Sequence, residues 1–157
     1  MNRRVLLRSS LGCLTIGLVA AAGPARAQAP ARTPPADKPF ADHLIALQLS
    51  DADPKTQRLV LSVANNLVTA YGPDQIAIEV VAFGPGVELL FDNAEHRAQV
   101  DSLIAQGVRF DICGNTLDTI QRETGKRPAI NPRAVEVQVG VGHLLTLSER
   151  GYTLVRP

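Results

Sequence analysis

The chain has 157 residues, a formal net charge of +1 and only 4% aromatic side chains. Near-neutral charge, with no Lys/Arg stripe interleaved with aromatics, leaves a nucleic-acid partner nothing to bind. The length suits one domain with one hydrophobic core once an export leader is set aside.

The leader is readable at the N-terminus. Arg3, Arg4 and Arg8 make a basic region, Leu11 to Gly23 is apolar, and Ala25-Arg26-Ala27 fits the small-x-small cleavage rule. Residues 1–27 are therefore expected to be a secretory signal peptide, and Arg3-Arg4 is similar to a twin-arginine export signal. The apolar run falls short of the roughly 20 residues that span a bilayer. No stable membrane insertion is expected after cleavage, and the mature protein is expected in the periplasm. Residues 28–41 hold Pro30, Pro34, Pro35 and Pro39 and read as an extended, solvated linker. Residues 42–157 read as the domain.

The domain alternates short apolar runs with helical periods. His43 to Leu49 suits a first strand. Asp53-Pro54 offers an N-cap and a proline at the first helical position. Leu59, Val63 and Leu67, with Val60, Ala64 and Tyr71, give that helix an apolar face, and Gly72-Pro73 stops it. Ile76 to Phe83 is almost continuously apolar, as a central parallel strand would be. Glu79 breaks the run, which places its early part at an exposed end. Gly84-Pro85-Gly86 and a short helical piece from Val87 follow, then a helix from near Asn93 with Val100, Leu103 and Ile104 inside. Val108 to Ile112 is a third strand and Thr116 to Thr124 a short helix. Val135, Val137 and Val139 make a fourth strand, Val141 to Arg150 a helix, and Tyr152 to Val155 a fifth strand. This order predicts a three-layer α/β domain of flavodoxin-like or Rossmann-like type, with a mostly parallel five-stranded sheet.

Cys13 leaves with the signal peptide, so the mature chain keeps Cys113 alone and an internal disulfide is impossible. In an oxidising compartment a lone cysteine is a reactive thiol, a partner in an intermolecular bond, or a buried small hydrophobe. Its position points to chemistry. Cys113 falls at the carboxyl end of the third strand, where α/β sheets bind ligands. Asn115 and Asp118 have capping-box spacing, so the helix is expected to begin at Asn115. The N–H groups of Asn115 and Thr116 would then face the sulfur and favour its thiolate, with Gly114 leaving room for it. Asp111 and Asp118 oppose that charge, and His96, Arg133 or His143 are the candidate cations that the fold could bring near.

Gly84 and Gly86 are expected to line the same crevice as a tight turn. A dinucleotide loop fits less well, because Pro85 lacks an N–H and Leu89 stands where the third glycine belongs. The histidines lack metal-site spacing, so neither a metal nor another cofactor is expected. No hydrolase signature is present.

Three segments carry a family resemblance. Val80-Val81-Ala82-Phe83-Gly84-Pro85-Gly86 with Leu89-Leu90 resembles a stretch of DsrE/DsrF-like proteins in which a histidine is common at the position of Phe83. Phe110 to Leu117 resembles their cysteine segment. Val139-Gly140-Val141 through Leu147, Gly151-Tyr152 and Arg156-Pro157 is similar to their closing segment. The resemblance spans about Asp42 to Pro157. It implies a homo-oligomer, often a trimer or hexamer, and a sulfur carrier or sulfurtransferase-type relay. Cys113 would bear the sulfur as a persulfide and exchange it with protein thiols. The alternative is a non-catalytic oligomeric binding or assembly module with an inert cysteine.

Overall fold

A computed structural model describes residues 32–157. The expected signal peptide, Cys13 and the first residues of the linker lie outside the described residues. The elements are β1 (His43–Leu49), α1 (Pro54–Tyr71), β2 (Ile76–Ala82), a 3-10 segment (Gly84–Leu90), α2 (Arg97–Ala105), β3 (Arg109–Cys113), α3 (Gly114–Thr124), β4 (Val135–Val137), α4 (Gly140–Glu149) and β5 (Thr153–Val155).

The five strands form one sheet in the order β4-β3-β2-β1-β5, and every pairing is parallel. Side chains alternate across each strand and so build two cores. On one face Leu47, Leu49, Ile78, Val80, Phe110 and Ile112 pack against α1, α2 and α3. On the other Leu44, Ala46, Ala77 and Val81 pack against Leu144 and Leu147 of α4. Three successive crossovers step the chain from β1 to β4 along one face. The return to β5 carries α4 over the opposite face. Consequently the connections leaving β3 and β4, neighbours in the sheet, diverge to opposite faces at their carboxyl ends, the position where α/β sheets bind ligands.

Local chemistry sets the element ends. The Asp53 carboxylate accepts the Thr56 N–H at 3.1 Å and caps α1, and Gly72 ends it with a φ of 83° that favours glycine. The buried stripe of α1 is Gln57, Val60, Leu61, Ala64 and Val68, rotated from the expected face, and leaves Leu59 and Tyr71 exposed. α2 starts at Arg97, later than Asn93, with Arg97 pairing to Asp92 and Asp101. Val139 caps α4 instead of extending β4. The described part of the expected solvated linker is docked: the Thr33 N–H donates to the Arg150 carbonyl, Lys38 Nζ donates to the Pro73 and Ile76 carbonyls, and Ala41 joins a core. No helix among the described residues is long and apolar enough to cross a membrane.

Candidate functional site

β3 hands directly over to α3. Cys113 is the N-cap residue and Gly114 the first helical one, so the helix begins one residue before the expected start. The anticipated capping box therefore does not form: Asn115 lies inside the first turn, beyond the cap position. Its Oδ1 accepts from Gln138 Nε2 at 3.0 Å, and Asp118 pairs with Arg127.

The Cys113 sulfur is buried, with 6% of the residue exposed. Burial pushes its pKa up. The Thr116 hydroxyl, and then the N–H groups of Gly140, Thr116 and Asn115, more than offset this, and the thiol lies below its ordinary value. The Gly140 N–H donates to Sγ at 3.3 Å. Thr116 Oγ1 accepts the Gly84 N–H at 3.1 Å, which leaves the hydroxyl hydrogen free for the sulfur. The Asn115 N–H already donates to the Gln138 carbonyl at 3.1 Å, so its share is the smallest.

The donors are thus dipoles drawn from α3 and from the start of α4, with the turn after β2 holding the Thr116 hydroxyl in place. The candidate cations are engaged elsewhere or distant in role: Arg133 donates to the Asp101 carbonyl, and His143 turns toward Glu79. His96 is buried at the start of α2.

Two glycine assignments change. A side chain at Gly114 would meet Glu136 Oε1 at 2.7 Å and the Val137 carbonyl at 3.4 Å, so this glycine makes room for β4 and not for the sulfur. A side chain at Gly86 would collide with the Leu49 carbonyl oxygen. Gly86 is therefore needed for close packing over the end of β1 and does not line the crevice. Gly84 does border the site, through Thr116.

Gly140 is the residue that sequence reasoning missed. A methyl there would lie 3.0 Å from Phe83 Cβ and 3.2 Å from Cys113 Cβ, so glycine gives this amide its close approach to the sulfur without pressing on either side chain. Its sole signal in the sequence was membership of the closing motif.

A second polar group lies on the same face of the sheet. Glu79 is 5% exposed, which overturns the expectation that it marks an exposed strand end. Tyr152 Oη donates to Glu79 Oε1 at 3.1 Å, and Arg109 Nε donates to Asp111 Oδ1 at 2.7 Å. Burial pushes the Asp111 carboxyl up to about 6; Arg109 opposes the rise and the Glu79 charge adds to it. Burial and Glu79 also push the Tyr152 phenol up, so it remains a donor. Glu79, Asp111 and His143 each present one ligand-type atom within 4.8 Å of the others. Their separation in sequence concealed this grouping.

No family model matches the chain, and no curated protein matches it. Among solved structures, a protein of unknown function, MTH1491 from Methanobacterium thermoautotrophicum, shares the fold. It is 31% identical with a TM-score of 0.66, and the match covers 74% of this chain and 100% of the archaeal one.

Proposed function

The chain belongs to the same family as MTH1491, and from its own residues we propose that it is a DsrE-like sulfur carrier, exported to the periplasm, that works through a persulfide on Cys113. The observation carrying this reading is the donor set around Sγ, with the Gly140 N–H at 3.3 Å and the Thr116 hydroxyl beside it, at the carboxyl ends of β3 and β4. Such donors favour the thiolate, the form that attacks sulfur.

The cycle conserves electrons. The Cys113 thiolate attacks the outer sulfur of a donor persulfide, a sulfur–sulfur bond forms, and the donor leaves as a thiolate. An acceptor thiolate then attacks the outer sulfur now held on Cys113, which leaves as a thiolate in turn. The donor is a protein persulfide and the acceptor a protein thiol, and no prosthetic group takes part. Val141, Leu145 and Leu154 are exposed apolar side chains and support assembly into a homo-oligomer, in keeping with a trimer or hexamer.

The burial of Cys113 favours a second reading, an oligomeric binding or assembly module with an inert thiol. One experiment separates the two. Full-length Cys13→Ser protein is incubated with a sulfane-sulfur donor, and its intact mass is measured before and after reductant. A reversible gain of one sulfur, absent when Cys113→Ser is added, supports the carrier. No gain, with a thiol that resists alkylation until denatured, assigns the protein to the second reading.

A further inference from the structure

Glu79 from β2, Asp111 from β3 and His143 from α4 converge on the α4 face of the sheet, and we propose that they bind a divalent transition metal ion of the zinc class. The argument is independent of Cys113. From outside the cluster, Tyr152 donates to Glu79 Oε1 and Arg109 to Asp111 Oδ1, and Arg109 Nε also lies 3.6 Å from Glu79 Oε2. The other two oxygens, Glu79 Oε2 and Asp111 Oδ2, lie 3.1 and 3.4 Å from His143 Nε2.

Three electron-rich atoms at this separation require protons or a cation among them. A proton on Nε2 can align with one oxygen, and the hydrogen-bonding contact is the one with Glu79. Asp111 Oδ2 is then left fully buried without a hydrogen bond, a cost of about 1–3 kcal/mol. A metal ion satisfies all three atoms together. Zinc held by nitrogen and oxygen donors at about 2.0–2.2 Å in tetrahedral geometry has donor–donor edges of about 3.3–3.6 Å. The two separations above are close to that, and the third edge is within 4.8 Å.

The surroundings fit as well. Carboxylate ligands are commonly fixed by outer hydrogen-bond donors, the part Tyr152 and Arg109 play here. With both carboxylates ionised, Arg109 leaves one net negative charge for the cation to meet. A cavity of about 220 Å³ lined by Lys38, Glu79, Arg109 and Tyr152 reaches the Glu79 edge. One imidazole and two carboxylates, with no thiolate, suit zinc or cobalt(II) and disfavour copper(I).

The test uses the full chain carrying Cys13→Ser and Cys113→Ser, untagged and freed of metal by a chelator, so that no thiol can contribute. Calorimetric titration with Zn²⁺ and visible spectroscopy with Co²⁺ should each give one ion per chain, with no sulfur-to-cobalt charge-transfer band. Zn²⁺ should also raise the thermal unfolding midpoint. His143→Ala changes a partly exposed side chain and should fold, as checked by circular dichroism, yet lose stoichiometric binding. Tyr152→Phe should weaken binding about ten- to a hundredfold. Failure of the double-serine chain to bind either ion at one per chain, or equal binding by a folded His143→Ala variant, overturns the proposal. If His143→Ala does not fold, the stoichiometry and cobalt spectrum of the parent chain still decide it.

Discussion

Asp111 and Cys113 lie two residues apart on one face of β3, and the fold moves their acidities in opposite directions. Burial opposes ionisation in both. Around Cys113 it is offset by a hydroxyl and backbone amides whose hydrogens converge on the sulfur. Around Asp111 only one oxygen receives a donor, and Glu79 adds a like charge beside it. Burial therefore does not fix the acidity of a group in this sheet. What decides is how many donors reach the atom that carries the charge. Dipoles supply that service at the carboxyl end of β3, where three chain segments end together. Mid-sheet, the backbone donors are already committed to the strand ladder.

The comparison can be broken most visibly by pH. The Asp111 carboxyl holds its proton more tightly when folded, so its stabilising contribution is complete below the unfolded value of 3.8 and is lost as pH rises through about 6. Arg109, Glu79, His143 and Tyr152 all face it. Chelator-treated protein should lose about 3 kcal/mol of unfolding free energy between about pH 4 and pH 6, and Asp111→Asn should flatten that slope in urea titrations.

A smaller effect is expected from Gly140→Ala. The added methyl presses on Phe83 and Cys113 and displaces the amide that donates to the sulfur. Destabilisation of about 2 kcal/mol should appear in chemical unfolding, together with slower alkylation of the thiol at neutral pH.

Thr116→Val tests the remaining donor with the least disturbance. It removes the hydroxyl that both donates to Sγ and accepts from Gly84. Loss of one hydrogen bond worth about 1 kcal/mol should slow iodoacetamide alkylation at pH 7 about fivefold and shift the rate profile toward higher pH. An unchanged profile would leave the Gly140 amide as the dominant donor.

Much of the architecture could be read from one-dimensional patterns because its causes are local. β1 runs from His43 to Leu49 as the apolar run indicated, Asp53 caps α1, and Gly72 and Gly125 end their helices through positive φ. The position of Cys113 at the carboxyl end of β3 was legible for the same reason. Its donors were only half legible. Thr116 is three residues along the same chain, whereas Gly140 arrives from α4 and Asn115 gives its N–H to Gln138. Gly86 looked like part of a crevice because glycine spacing cannot say which backbone the missing side chain would strike.

By itself the sequence determined the alternation of strands and helices, the α/β class and the site of the lone thiol in the domain, since periodicity, caps and turn residues act over a few positions. The strand order β4-β3-β2-β1-β5 was decided only when the chain closed on itself. That order brings the start of α4 against the end of β3 and buries Glu79 beside Asp111 and His143. Contacts of that kind depend on which surfaces pack together, and residues tens of positions apart carry no local sign of it.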